Sequence, residues 1–241
     1  MQIDIITLFP RMFSALNESI TGRAQLNRFV QLHCHNLRDY TSDKHRTVDD
    51  SPFGGEAGMV LKPEPLKAAI HAVKQSGNPH TVFLTPQGKV FSQKRAIELA
   101  KKRNILIICG HYKGIDERIR QNYVDEEISI GDFVMTGGEL PAMCLVDSII
   151  RLIPGVLGDT DSAKTDSFYS ENKLGWPVYT RPETFDGATV PKVLLSGHHK
   201  NILKWQVRAG LLRTKQNRPE LFEKLNLTKE ETKLLAQEDF N

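Results

Sequence analysis

Three short stretches of this chain place glycine beside polar or aromatic side chains directly after apolar runs. They are Leu84-Thr85-Pro86-Gln87-Gly88, Cys109-Gly110-His111-Tyr112-Lys113-Gly114 and Ser129-Ile130-Gly131-Asp132-Phe133-Val134-Met135-Thr136-Gly137-Gly138. Glycine has no Cβ, so main-chain N–H and C=O groups there can come close to a ligand. One such loop carries little weight, because glycine turns end many strands; three in succession imply a pocket. The usual nucleotide signatures are missing: there is neither a G-x-G-x-x-G fingerprint after a strand nor a G-x-x-x-x-G-K-[ST] loop. Cys/His spacing suited to a metal is missing as well. A nucleotide-like ligand would therefore need another geometry.

Charge adds a second feature. The net charge is only +3, yet from Glu171 onward 12 Lys/Arg stand against 9 Asp/Glu, so that stretch carries the whole excess. Between Pro191 and Pro219 lie Lys192, Lys200, Lys204, Arg208, Arg213, Lys215 and Arg218 without one carboxylate. Such a run suits a phosphate backbone, and a solvated basic helix face accounts for it equally well. With 25% charged and 39% hydrophobic residues and both signs interspersed, the composition is that of a globular protein, not a disordered one. Cys34, Cys109 and Cys144 are odd in number and far apart, which points to a reducing cytoplasm. No basic leader with a cleavage pattern opens the chain, and no apolar run approaches the roughly 20 residues that cross a bilayer. The expected location is the cytoplasm, away from membranes.

An alternation of strands and helices must hold the loops. Gln2 to Leu8 is a predicted buried strand, Pro10 opens a helix where its missing N–H costs nothing, and Phe29 to His35 is a second strand. A long polar loop follows from Asn36 to Pro63, of a length usually reserved for function. Next come a strand from Thr81 to Thr85, a helix capped by Ser92 and running to Arg103, a strand from Ile105 to Cys109 and a helix around Ile115 to Gln121. Glu126 to Gly131 and Phe133 to Thr136 are expected to be extended, and a helix runs from Glu139 to Ile153. This alternation predicts an α/β fold with a mainly parallel sheet, whose ligands sit outside the carboxyl ends of strands. Asp159 to Trp176 is polar and patternless, as a mobile linker would be. Beyond it, Asn201 to Leu212 is an amphipathic helix with Ile202, Trp205, Ala209 and Leu212 on one face, and Thr228 with Glu231 forms a capping box for another.

Over nearly its whole length the sequence resembles the bacterial tRNA (guanine-N1)-methyltransferases of the SPOUT class. The resemblance is carried by Leu8-Phe9-Pro10, Asp43-Lys44-His45, Thr47-Val48-Asp49-Asp50, Gly54-Gly55, Gly58-Met59 and Gly114-Ile115-Asp116-Glu117-Arg118. It continues through Ser129-Ile130-Gly131-Asp132, Leu140-Pro141-Ala142, Ile153-Pro154-Gly155-Val156-Leu157-Gly158, Asp166-Ser167-Phe168, Tyr179-Thr180-Arg181-Pro182 and Ser196-Gly197-His198-His199. The resemblance implies a deep trefoil knot in the region from Thr81 to Ile153, a topology that general chain-tracing rules would not have offered. It also implies a knotted domain at 1–158 that binds S-adenosylmethionine, a flexible linker at 159–176 and a helical tRNA-binding domain at 177–241. Cofactor contacts are expected at Leu84, Thr85, Pro86, Gln87, Gly110, Tyr112, Lys113, Gly114, Ile130, Gly131, Asp132, Phe133, Val134, Met135, Gly137, Gly138 and Pro141. Core packing is an equal alternative for Ile130 and Val134.

The implied reaction is methylation of N1 of the guanosine just 3′ of a tRNA anticodon. It needs a group to take the N1 proton and a donor to steady the charge that spreads onto O6. By resemblance Asp166 is the general base and Arg151 the charge stabiliser. From composition alone Asp159, Asp161 and Asp166 are not ranked, and any of them could be a turn or cap residue; Arg151 could equally pair with Asp147 at i,i+4. Asp50, Gly55, His198, His199, Lys204, Arg208 and Arg213 are expected to contact tRNA. The helix from Leu140 to Ile153 is apolar around most of its circumference and must be covered on several sides, by its own chain or by another; the resemblance implies a homodimer with the active site at the subunit interface. The sequence departs from the family at Lys113, where many members carry Glu, and at His111, where Arg is frequent. A carboxylate at the first position would help place a magnesium ion, which lysine does not do, so magnesium is expected only as an accessory to activity, without a protein site. A non-catalytic RNA-binding protein on the same fold, or a related methyltransferase with another RNA target, are the competing readings.

Overall fold

The computed structural model describes residues 1–75, 77–158, 165–169 and 173–237. The chain divides into two compact units, Met1–Thr160 and Asp161–Asn241.

In the first unit, strands β1 (Gln2–Thr7), β2 (Gln31–Asn36), β5 (His80–Val90), β6 (Asn104–Cys109) and β7 (Glu126–Ser129) form one sheet in the order β2-β1-β6-β5-β7. Every neighbouring pair is parallel, as the strand–helix alternation predicts. The helices are α1 (Ser19–Leu26), α2 (Pro63–Lys74), α3 (Gln93–Ala100), α4 (Glu117–Tyr123) and α5 (Glu139–Ile150), with a 3-10 helix over Pro10–Asn17. The central strands β1 and β6 and the first half of β5 are largely apolar on both faces because both are covered, whereas the edge strands β2 and β7 are more polar and only partly buried. Ile3, Ile5, Val82, Leu84, Ile105, Ile107 and Ile128 pack with the buried stripe of α5. Their sequence neighbours Ile6, Phe83, Leu106 and Ile108 point the other way and pack with Leu66, Ala69, Ile70 and Val73 of α2. Each buried aliphatic side chain contributes about 1.5–3 kcal/mol, and Ile107→Ala would cost about 2–5 kcal/mol through the cavity it leaves.

Several elements differ from the sequence reading. The polar stretch after β2 contains a short 3-10 helix, Leu37–Tyr40, and an antiparallel pair of two-residue strands, β3 (Asp49–Asp50) and β4 (Val60–Leu61). Helix α2 was not anticipated, although Leu66, Ala69, Ile70 and Val73 follow helical spacing behind two prolines. Phe133 to Thr136 is irregular, not a strand, and α5 ends at Ile150 before the turn at Arg151 and Leu152.

The second unit holds a small antiparallel hairpin, β8 (Thr184–Phe185) with β9 (Ala188–Thr189), and helices α6 (Lys192–Leu195), α7 (His199–Asn217), α8 (Pro219–Phe222) and α9 (Lys229–Leu235). Helix α7 turns Trp205, Gly210, Leu211 and Thr214 inward. Trp205 is buried as expected and Ile202 and Ala209 are half-buried, but Leu211 is fully buried while Leu212 is 37% exposed, so the inner face lies one residue away from the expected one only at its C-terminal end. The capping box at Thr228 is present, with its hydroxyl accepting from the Glu231 amide and the Glu231 side chain accepting from the Thr228 amide. The described residues of the segment before Trp176 are tied down: the Leu174 amide donates to Thr214 Oγ1 at 2.9 Å and the Gly175 amide to Ser167 Oγ at 2.9 Å. Asp159 and Asp161 lie outside the described residues.

Candidate active site

Strands β6, β5 and β7 are adjacent and parallel, so the chain leaves all three at one edge of the sheet. Strand β5 does so in an unusual way. Leu84 and Lys89 both face Ile128 of β7, so Thr85 to Gly88 arch out of the sheet before pairing resumes at Lys89. Past β6, the Gly114 amide closes a turn onto the His111 carbonyl at 2.9 Å, with Tyr112 and Gly114 both at positive φ. The turn is held from outside, since the Lys113 amide donates to Met59 O at 3.0 Å and the Leu61 amide to Gly114 O at 3.0 Å. Past β7, Ser129 Oγ donates to Gly131 O at 2.9 Å, and the chain then returns so that the Gly138 amide donates to Gly110 O at 2.7 Å. That last bond requires glycine: a Cβ on Gly138 would stand 2.8 Å from the Cys109 Cα and 2.9 Å from the Gly110 amide nitrogen.

The arch and the two turns enclose a cavity of about 390 Å³, a size ordinary for small-molecule sites. Sixteen of the seventeen residues expected to contact a cofactor line it. Asp132 is the exception, because the bend at Gly131 takes it out of the wall. Phe83, His111, Ile128, Ser129 and Thr136 also line the cavity, and the sequence reading did not select them. Val134, for which core packing was the alternative, is 87% exposed, and Phe133 is 53% exposed. The lining combines apolar residues such as Leu84, Pro86, Ile128, Ile130 and Pro141 with polar ones such as Thr85, Gln87, His111 and Ser129 and with glycines. Such a lining suits a flat heteroaromatic ring with a polar rim.

Behind this wall lies a buried carboxylate. Glu139, the first residue of α5, is 3% exposed and accepts from Thr7 Oγ1 at 2.8 Å. Its other oxygen stands 4.0 Å from His111 Nδ1, a buried nitrogen without a hydrogen-bond partner. Burial first, and the Glu139 charge second, push the Cys109 thiol well above its ordinary pKa. Cys109 is therefore a packing residue rather than a nucleophile. Glu139 left no clear mark in the sequence, because an acidic residue in a first helical turn is ordinary.

The remaining candidates are distributed over both units. Arg151 follows α5 in the first unit, half-buried, with its amide donating to Asp147 O at 3.3 Å. Asp166 is in the second unit, exposed, on a cleft formed with Phe168, Tyr169, Trp176 and Gln206 among others. Asp50 and Gly55 are exposed on the stretch whose Glu56 pairs with Lys113 Nζ at 2.7 Å. That hydrogen bond from Lys113 holds the Glu56 carboxyl below its usual range. His198, His199, Lys204 and Arg213 are exposed on or beside α7. Arg208, on the same helix, is half-buried and donates to Leu234 O at 3.0 Å and Gln237 O at 2.5 Å, so it caps the end of α9. Among the described residues no group of His, Cys, Asp or Glu could hold a metal ion.

A family model described as tRNA (Guanine-1)-methyltransferase TrmD matches residues 1–224. The chain is 52% identical over 235 residues to the tRNA (guanine-N(1)-)-methyltransferase of Clostridium acetobutylicum, covering 98% of this chain and 96% of that protein. The enzyme of the same name from Clostridium tetani is 52% identical over 238 residues, covering 99% of each chain. That of Shewanella loihica is 53% identical over 240 residues, covering 98% of this chain and 96% of the other.

Proposed function

The chain belongs to the tRNA (guanine-1)-methyltransferase family, and from that premise we propose that it moves the methyl group of S-adenosylmethionine to N1 of the guanosine just 3′ of a tRNA anticodon. Methylation there supports reading-frame maintenance. The single observation that carries the reading is the cavity at the carboxyl ends of β5, β6 and β7. Its apolar lining at Leu84, Pro86, Ile130 and Pro141 would hold the faces of an adenine, and the glycine-containing loops would let main-chain groups come close to the ring nitrogens. Bound there, S-adenosylmethionine supplies an electrophilic methyl group. Magnesium serves as an accessory to activity, without a protein site.

Asp166 accepts the N1 proton of the guanine, so that the ring nitrogen has its lone pair available to the incoming methyl carbon. The negative charge this leaves spreads to O6, where the Arg151 guanidinium, permanently charged and rigid, donates hydrogen bonds. Exposed Lys204 and Arg213, with His198 and His199, grip tRNA phosphates. Arg208 assists by fixing α9 against α7. Asp50 and Gly55 contribute from the stretch beside Lys113. The guanosine leaves its stack to be reached. The working form is a cytoplasmic homodimer with the active site at the subunit interface, a reading supported by Leu140, Phe133 and Val134, which stay exposed in the single chain. The region from Thr81 to Ile153 is threaded as a trefoil knot; the arch in β5 and the return of the chain at Gly138 support this reading.

The test is transfer of tritium from labelled S-adenosylmethionine to tRNA transcripts with and without the target guanosine. Incorporation is expected only where that guanosine is present. RNA binding without any transfer, or equal transfer to the transcript lacking it, would overturn the proposal. Light scattering that finds an active monomer would remove the shared site.

A further inference from the structure

We infer that Glu139 and His111 form a positioning pair that sets the spacing between the two walls of the cavity, and so its affinity for the cofactor. The inference rests on the reading of that cavity as a cofactor site.

Three segments far apart in sequence converge on the Glu139 carboxylate. One oxygen accepts from Thr7 Oγ1 at 2.8 Å, at the end of β1, and the same hydroxyl accepts from the Phe9 amide at 2.9 Å. The other oxygen faces His111, whose loop continues into the cavity wall at Tyr112 and Gly114. The third segment is Gly137: a Cβ there would stand 2.4 Å from Glu139 Oε2 and 2.5 Å from His111 Nδ1, so both groups press against the open face of that glycine. Burying a carboxylate is costly unless partners compensate it. The helix N-terminus and Thr7 compensate part of that cost; packing alone would not require a charge at this position.

The unfilled share is informative. A separation of 4.0 Å is too long for a hydrogen bond, yet His111 Nδ1 is buried and has no other partner. The two loops already touch through the Gly138 amide and Gly110 O. A small advance of the His111 loop toward Gly137 would turn the 4.0 Å gap into a hydrogen bond and narrow the cavity lined by Tyr112 and Gly137. Ligand bound in the cavity and the closed pair thus favour each other, since binding shifts the pair toward the geometry it selects. Arginine at position 111 would reach the same carboxylate with a permanent charge.

The test uses the full chain and calorimetric titration with S-adenosylmethionine in the absence of tRNA, together with filter binding of tRNA. His111→Ala, at a partly exposed position that folding should tolerate, is expected to weaken cofactor binding by about tenfold, the loss of one hydrogen bond. Glu139→Ala should do at least as much, and the double variant no more than the larger single effect, as a shared interaction requires. His111→Arg and Glu139→Gln, which keep a donor and an acceptor in place, should stay within about threefold of the parent, and tRNA affinity should hold within about twofold throughout. Cofactor affinity unchanged in His111→Ala, or additive losses in the double variant, would overturn the inference. If the unaltered chain itself failed to bind S-adenosylmethionine, the reading of the cavity would fall instead.

Discussion

The two units present their candidate binding surfaces by different means. In Met1–Thr160 the surface is set by the course of the backbone: three segments leave adjacent parallel strands, and turns at Gly114, Gly131 and Gly138 line a cavity. In Asp161–Asn241 it is side chain, with Lys204, Arg213, His198 and His199 standing exposed on or beside one helix. Recognition by backbone is fixed by strand register; it tolerates many side-chain changes but not an added Cβ where two loops touch. Recognition by exposed charge tolerates small backbone shifts but weakens with salt. Variants in one unit should therefore fail in a different measurement from variants in the other.

The largest effect is expected at Asp166, which belongs to the second unit. Asp166→Asn keeps the size and one acceptor oxygen but cannot take a proton at neutral pH, so turnover should fall by about 10²–10⁴-fold while cofactor affinity in the first unit is retained. Single-turnover methyl transfer with calorimetric titration checks both; normal turnover removes Asp166 from the mechanism. A second break comes at Gly138, where a Cβ would lie 2.8 Å from the Cys109 Cα. Gly138→Ala must displace backbone, so cofactor affinity should drop by about 10–100-fold, the equivalent of the strain of overpacking, with tRNA affinity unchanged. Unchanged cofactor binding in that variant would show that the cavity does not depend on this contact.

Sequence pattern revealed much of this frame, and the exceptions have physical causes. Strands β1, β2, β6 and β7 fall within a residue or two of their expected bounds; for β1 and β6 the reason is that both faces of the sheet are covered there and the apolar runs are continuous. Strand β5 was expected to stop at Thr85 because proline and glycine follow; the structure uses both in an arch and resumes pairing at Lys89. Helix α2 keeps helical spacing in Leu66, Ala69, Ile70 and Val73, but the long polar stretch ahead of it blurs where the helical pattern starts. In the cavity, the glycines pointed to the three loops, and the names of individual contacts came from the family resemblance. Asp132 does not line the cavity although its neighbours Gly131 and Phe133 do, and no pattern in the sequence encodes the bend there. Glu139 and Thr7, 132 residues apart, meet only through the packing of α5 on the end of β1, which no local pattern encodes.

Reversing charge on α7 tests the second unit directly. Lys204→Glu combined with Arg213→Glu should lower tRNA affinity by about tenfold or more at moderate salt and make the dependence on salt shallower by about two in the logarithmic slope, one per lost phosphate contact. Cofactor affinity should not move. The same change at Arg208 would act differently: it would release the end of α9 and show first as a lower melting temperature of the second unit. A salt slope identical to that of the parent would mean that α7 is a solvated basic face and no clamp.

The smallest effect is expected at the opposite edge of the same sheet, where charge and not glycine fills the strand ends. Glu126 on β7 is bonded by the Arg95 guanidinium, at 2.7 Å from Nε and more closely from its second nitrogen, and by His80 Nε2 at 3.0 Å. Burial alone would raise its carboxyl, but Arg95 and His80 outweigh that and hold it below the ordinary value of 4.5. A carboxyl lowered in the folded state stabilises the fold above its unfolded pKa, and this contribution is lost as pH falls through the lower, folded value. The parent should therefore lose stability on acidification from about pH 4.5 downward, and Glu126→Gln should begin about 1–3 kcal/mol less stable at neutral pH and show a flatter acid limb in thermal melts. Its cofactor affinity at neutral pH should equal that of the parent, because the cavity lies at the far ends of the strands. A loss of affinity there would mean that strain at one edge of the sheet reaches the other, and the separation between a charged scaffold edge and a glycine-built binding edge would not hold.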